Sequence, residues 1–225
     1  MTHPDRSLGN ATSSRTSRPS VRRRHVRSLT AASIAALVFS TAACGSDPPR
    51  ELAGYVREPA PAVDEVALPD LSRDGTEMAL RAEPGELLVV YFGFTNCPDV
   101  CPTTLHDLRT ALNRMEPDDA DRVEVAMVTV DPDRDVPVLV DYVQSFIPDA
   151  RALATTDPSQ LRAAAEPFGV TYEIETDEDG DVEVGHTSQM FVVDDTGALA
   201  LTWQFGVPAD DLRADLEQLL EDQTA

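Results

Sequence analysis

The chain has 225 residues with 18 basic and 40 acidic side chains, a formal net charge of −22, and no lysine. That length holds one compact domain with appendages, a typical domain taking ~100–200 residues. Residues 1–43 carry seven arginines against one acid, Asp5, which leaves a body with 11 basic and 39 acidic side chains. A surface that acidic repels phosphate backbones and anionic lipid heads, so nucleic acid is excluded as the expected partner.

The basic head reads as a targeting segment. Val21–Arg27 is arginine-rich, Leu29–Phe39 is apolar, and small residues lead into Ala42-Ala43-Cys44-Gly45. A charged region, a short apolar region and a small-residue cleavage site make a secretory signal. The apolar run falls short of the ~20 residues of a membrane-spanning helix. Ala-Ala-Cys-Gly resembles a bacterial lipobox, whose cysteine is lipidated and becomes the first mature residue. Thr41 stands where leucine is usual, which keeps plain secretory cleavage as the alternative. The expectation is a signal peptide over 1–43 and an exported protein held by lipid on Cys44 at the extracytoplasmic face of a bacterial cell membrane. Setting Cys44 aside leaves an even pair, Cys97 and Cys101, in an oxidising compartment.

Residues 44–63 are rich in Pro, Ala, Asp and Glu without an apolar period, and read as a disordered tether ahead of a domain over 64–225. There, Val66–Leu68 and Met78–Leu80 flank a Ser-Arg-Asp-Gly turn as a short hairpin. Glu86–Phe94 is a continuous apolar run, the mark of a strand buried on both faces. Leu105, Leu108, Leu112 and Met115 recur at helical spacing and predict a helix over Pro102–Met115. Val123–Val130 reads as a second buried strand, and Val136–Ile147 as a helix with Pro137 in its first turn and Pro148 beyond its end. A brief strand, Arg151–Ala154, and a helix, Pro158–Phe168, follow. Thr171–Thr176 and Val182–Val184 bracket an acidic Asp-Glu-Asp-Gly loop. Gln189–Val193 and Ala198–Phe205 pair around Asp-Asp-Thr-Gly, and Asp210–Leu220 is the last helix. This order predicts an α/β, thioredoxin-like fold: a central mixed sheet with helices on both faces. No nucleotide-binding or nucleophile-elbow motif is present.

The chemistry lies in Tyr91-Phe92-Gly93-Phe94-Thr95-Asn96-Cys97-Pro98-Asp99-Val100-Cys101-Pro102, where a buried strand gives way to a helix. Helix N-terminal amides beside the two sulfurs favour thiolate. Four residues apart, the cysteines reach either a disulfide or one shared metal ion. A purely structural disulfide in so short a loop would remove only about 2 kcal/mol of unfolded-state freedom. Two thiolates favour soft ions such as Cu(I), and also zinc. A third ligand must come from His106, which is expected to point away on the helix, or from His186, just before the strand Gln189–Val193. Ligands gather at the ends of such strands, so His186 is the candidate. Met190 is expected in the core.

Phe92–Pro102, Val130-Asp131-Pro132-Asp133-Arg134-Asp135 and Gly185-His186-Thr187 resemble the SCO/SenC family of copper-binding proteins, over about Val63 to Leu220. The resemblance implies Cu(I) or Cu(II) bound by Cys97, Cys101 and His186, and a supporting role for Asp131 near the metal loop. It also implies help in building the dinuclear copper centre of cytochrome c oxidase, with that enzyme's copper-site subunit, or another copper acceptor, as partner. The alternative is a membrane-anchored thiol–disulfide reductase with Cys97 and Cys101 as its redox-active pair, keeping the acceptor's copper-site cysteines reduced. Against a general oxidoreductase, the spacing is C-x-x-x-C, and Ser188 stands where thioredoxins place a proline. Against a cysteine peroxidase, Pro98 stands where threonine or serine is required.

Overall fold

The computed structural model describes residues 50–223; the expected signal peptide and Cys44 lie outside the described residues. The strands are β1 (Ala67–Asp70), β2 (Thr76–Ala79), β3 (Leu87–Gly93), β4 (Val123–Thr129), β5 (Arg151–Leu153), β6 (Tyr172–Thr176), β7 (Val182–His186), β8 (Met190–Val193) and β9 (Leu199–Trp203). The helices are α1 (Val100–Leu112), α2 (Pro117–Ala120), α3 (Pro132–Asp135), α4 (Leu139–Phe146), α5 (Pro158–Ala165) and α6 (Ala209–Asp222). Seven strands form one sheet in the order β2-β1-β5-β4-β3-β8-β9, while β6 and β7 make a separate hairpin. Strands β3, β4 and β5 run parallel and the remaining pairs antiparallel. This is the mixed, thioredoxin-like α/β sheet that the alternating strand and helix signals predict.

Strand β3 lies near the middle, between β4 and β8, and all seven of its residues are buried. Alternate side chains point to opposite faces. Tyr91 and Gly93 therefore share the face that meets Cys101 of α1. Phe92 takes the other face, where its ring lies 5.3 Å from that of Phe168, just beyond α5. Helices thus cover both faces.

The helix expected over Val136–Ile147 begins three residues later than expected, and a separate short helix precedes it. Helix α3 ends where the Val136 amide bonds Pro132 O, and α4 starts at Leu139. Pro137 has no amide to carry the ladder between them.

The expectation of a disordered tether is corrected for residues 50–63, which pack on the domain. Tyr55 and Thr202 exchange backbone bonds of 3.0 Å in both directions, and Val63, 2% exposed, donates to Gly197 O. The segment lines the outer edge of β9, which covers an edge that would otherwise be free. Its anchor is Asp215 of α6, fully buried. This carboxylate accepts from the amides of Ala53 and Gly54 at 3.0 Å, from Trp203 Nε1 at 2.8 Å and from the Arg50 guanidinium. Gly54 is required there, because a Cβ would fall 2.6 Å from Leu201 Cγ. Arg57 closes the strap by donating to the carbonyls of Pro167 and Phe168. The composition of the segment hid this, since backbone groups and a carboxylate some 160 residues away do the binding.

Replacing Asp215 with alanine strands the Trp203 N–H and two strap amides, so stability is expected to fall by about 3–5 kcal/mol. Urea unfolding measures that loss, and amide exchange at Ala53 and Gly54 is expected to rise toward that of free chain.

Candidate metal centre

Strand β3 delivers the chain to a loop of six residues, and α1 begins at Val100. Cys97 lies half-buried on that loop, and Cys101 is buried in the first turn of α1. Both thiols are free. The cap residue Asp99 makes no side-chain bond to the helix's backbone amides. Instead the Cys97 sulfur accepts the Cys101 amide at 3.3 Å, so it sits at the positive end of the helix. Gly93 leaves the space that the second sulfur needs. A Cβ there would stand 3.3 Å from Cys101 Sγ and 2.7 Å from Tyr91 Cε1.

His186 ends β7, and its Nε2 lies 3.6 Å from Cys101 Sγ. On the far side of the ring, Nδ1 is 2.9 Å from Thr187 O. A carbonyl only accepts, so Nδ1 carries the proton and the Nε2 lone pair faces the sulfur. The rings of Phe94, at 5.6 Å, and Tyr91, at 6.2 Å, meet the imidazole edge-on and fix its plane. Burial lowers the His186 pKa and so keeps the ring neutral, with the Thr187 bond opposing the shift. Burial likewise pushes the Cys101 thiol up to about 12. The Tyr91 hydroxyl, buried and without a hydrogen bond of regular geometry, lies near enough to oppose that shift, as does the Phe94 backbone.

The side-chain bonds of Asp131 do not reach the cysteine loop that it is expected to support. Asp131 is buried, but its carboxylate pairs with Arg134 within its own segment. The carboxylate tied to the cysteine loop is Asp135, fully buried, which accepts from the Thr95 amide at 3.0 Å and from the hydroxyls of Thr95 and Thr129. The available signal was a threonine two residues before Cys97 and a third aspartate closing Asp-Pro-Asp-Arg-Asp. His106 is exposed on α1 and Met190 is 5% exposed in the core, as expected of both. Among the described residues, no three His, Cys, Asp or Glu side chains already stand together as a metal cluster. Cys101 and His186 are in contact, while the Cys97 sulfur is turned to the helix amide.

The family model for SCO1/SenC matches residues 71–221. The chain belongs to the SCO1/SenC family. It is 27% identical over 139 residues to a putative copper-binding protein of Stutzerimonas stutzeri, a match covering 62% of this chain and 68% of that one. The solution structure of apo Sco1 from Thermus thermophilus superposes with a TM-score of 0.60 at 32% identity, covering 77% of this chain and 96% of that one. Bradyrhizobium japonicum ScoI with copper bound gives a TM-score of 0.58 at 29% identity over 68% and 96% of the two chains. The SCO1/SenC chain spans between 36% and 68% of the length of the first curated relatives that it matches.

Two outcomes follow from this geometry. Asp135→Ala leaves the Thr95 amide and the Thr129 hydroxyl without their acceptor, at about 1–3 kcal/mol for each buried donor. Unfolding midpoints check the loss, and native-state alkylation of Cys97 is expected to quicken as the loop loosens. The raised Cys101 pKa means that folding favours the protonated thiol. Its contribution is complete below the unfolded thiol pKa of about 8.5 and is lost as pH rises toward 12. Reduced protein is therefore expected to lose stability between about pH 8.5 and 10, before unfolded tyrosines titrate. Cys101→Ala is expected to flatten that part of the profile.

Proposed function

We propose that this SCO1/SenC protein is an exported copper metallochaperone. In this reading Cys97, Cys101 and His186 bind copper and pass it to the copper-site subunit of cytochrome c oxidase or to another copper acceptor. The observation that carries the reading is the 3.6 Å approach of His186 Nε2 to Cys101 Sγ with its lone pair free. Two sulfurs and one neutral imidazole form a low-coordinate donor set of the kind soft Cu(I) prefers over hard cations. Thr187 O, by holding Nδ1–H, orients the ring and raises its basicity as a ligand. Relatives described as copper-binding, and a relative solved with copper bound, support the same cargo.

Release follows from the same arrangement. An acceptor thiolate or imidazole joins the site from the side of the half-buried Cys97, and copper moves by exchange of ligands without entering solution. Uptake requires both thiols to lose their protons, and the Cys101 proton is held firmly by burial. Copper affinity is therefore expected to fall as pH drops. Lipidation of Cys44 and cleavage after Ala43 would hold the domain at the outer face of the cell membrane. No helix among the described residues is long and apolar enough to cross it.

A second reading, thiol–disulfide reduction of the acceptor's cysteines, draws on one observation: Cys97 is half-buried and Cys101 wholly buried. That asymmetry suits an attacking thiol and a resolving thiol.

Anaerobic Cu(I) titration of the reduced protein separates the two readings. The chaperone binds one copper tightly, and His186→Ala weakens it by more than ~100-fold, since loss of a mere supporting hydrogen bond already costs ~10–100-fold. Equal, weak binding by both proteins, together with rapid reduction of an oxidised copper-site peptide, would overturn the chaperone in favour of the reductase.

A further inference from the structure

The β6–β7 hairpin that carries His186 stands outside the main sheet, with β6 and β7 paired only to each other. Its register sums Tyr172 with His186, Ile174 with Val184 and Thr176 with Val182. Two bonds fix the phase of the ladder: Thr187 N to Thr171 O at 3.0 Å and Asp177 N to Asp181 O at 2.9 Å. Odd-numbered residues of β6 therefore bond β7, and Tyr172, Ile174 and Thr176 turn their amides and carbonyls outward, along an edge with no partner strand among the described residues. Ile174 leaves 43% of its surface exposed on that edge. Beside the start of β6 lies a cavity of about 550 Å³ walled by Arg162, Ala165, Glu166, Val170 and Tyr172. A second cleft, sharing Thr171 and Tyr172 with the first, continues to His186.

The charge says what lies there. Between Tyr172 and His186 the hairpin holds seven acidic residues and no basic one. Glu175 and Glu183 face each other directly across the strands, an arrangement that costs the hairpin stability. No ion pair of the described residues relieves it.

We propose that the outer edge of β6 takes up an extended, cationic segment of the protein that exchanges metal with this site. The segment pairs as a third strand, sets basic side chains against Glu173 and Glu175 with Glu183 one strand further, and ends level with His186 across β6. Main-chain bonds supply the hold and alternate side chains the selectivity. Because Tyr172 lies opposite His186, a strand in this register ends level with the imidazole and two strand spacings, about 10 Å, from it, so the partner's chain running on past Tyr172 turns toward the site along the cleft shared by Thr171, Tyr172 and His186. The proposal rests on the metal-exchange reading of the site.

The test uses the full chain in reduced form and a synthetic ten-residue peptide alternating lysine with valine. Amide exchange is expected to slow at Tyr172, Ile174 and Thr176 and to stay unchanged at Glu173 and Glu175. Ile174→Pro removes an outward donor while leaving the β7 bonds intact, and is expected to weaken binding about tenfold. A peptide N-methylated on alternate residues is expected to lose binding without any change to the protein. Paired Glu175→Gln and Glu183→Gln substitutions are expected to reduce affinity and flatten its salt dependence. Absent binding overturns the proposal. So does binding that survives both Ile174→Pro and N-methylation, which would be general attraction to an acidic body, and so does equal binding of a glutamate–valine peptide. Cys97→Ser is expected to bind the peptide normally, so failure of the metal reading and failure of the docking reading give different results.

Discussion

The structure turns on a neutral imidazole meeting a buried thiol across 85 residues of chain. Neither group reaches the other by local geometry. Their meeting depends on the antiparallel register of β3 with β8, which sets Tyr91 opposite Met190, and on the hairpin that ends four residues before Met190. A slip of one residue would turn Tyr91 and Gly93 to the opposite face and put Phe92 against the cysteine. Gly93 would then no longer leave its gap under Cys101 Sγ. The core packing of β3 on both faces is therefore also what positions the donors.

Four buried aspartates organise the rest, and none of them touches the sulfurs. Asp70 accepts the Ser72 amide and pairs with Arg151; Asp131 pairs with Arg134; Asp135 holds the cysteine loop; Asp215 holds the N-terminal strap. In three of the four the carboxylate collects amides or hydroxyls that a loop could not otherwise satisfy. The body's large negative charge lies mostly on exposed side chains, while the thiol–imidazole pocket itself is lined by neutral and aromatic groups. Burial is what keeps the thiol protonated and the imidazole neutral in metal-free protein.

Most of this was legible in the sequence where one signal dominated. The apolar run of β3 has no period because both faces are covered, and it read correctly as a buried strand. The leucine spacing of α1 gave a helix because only one of its faces is buried. Cys97, Cys101 and His186 stood out because few residue types can do their chemistry and few copies exist. What escaped were features set by partners far along the chain. Asp131 and Asp135 are indistinguishable by type and both are buried; only the three-dimensional path of Thr95 tells which one grips the loop. Residues 50–63 lack a hydrophobic period, yet they are ordered by backbone pairing with β9 and by Asp215, neither of which leaves a mark on local composition. Pro137, expected in the first turn of a helix from Val136, instead lies ahead of α4, which begins at Leu139.

The contrast between Cys97 and Cys101 bears on the choice between the proposed chaperone and the reductase. In disulfide exchange the half-buried sulfur attacks, the buried one resolves, and a third side chain is needed only if it moves a proton. An imidazole whose Nδ1–H is tied to a carbonyl, and whose burial disfavours the charged form, is a poor proton carrier but a well-oriented electron-pair donor. Thr187 O thus does more to decide between the two chemistries than either cysteine does, because it commits His186 to presenting a lone pair. On the proposed chaperone reading, the route for a metal is then inward, from the half-buried Cys97 to the buried Cys101 and His186, and the same route reversed brings it back to the surface, where a partner's ligands can claim it.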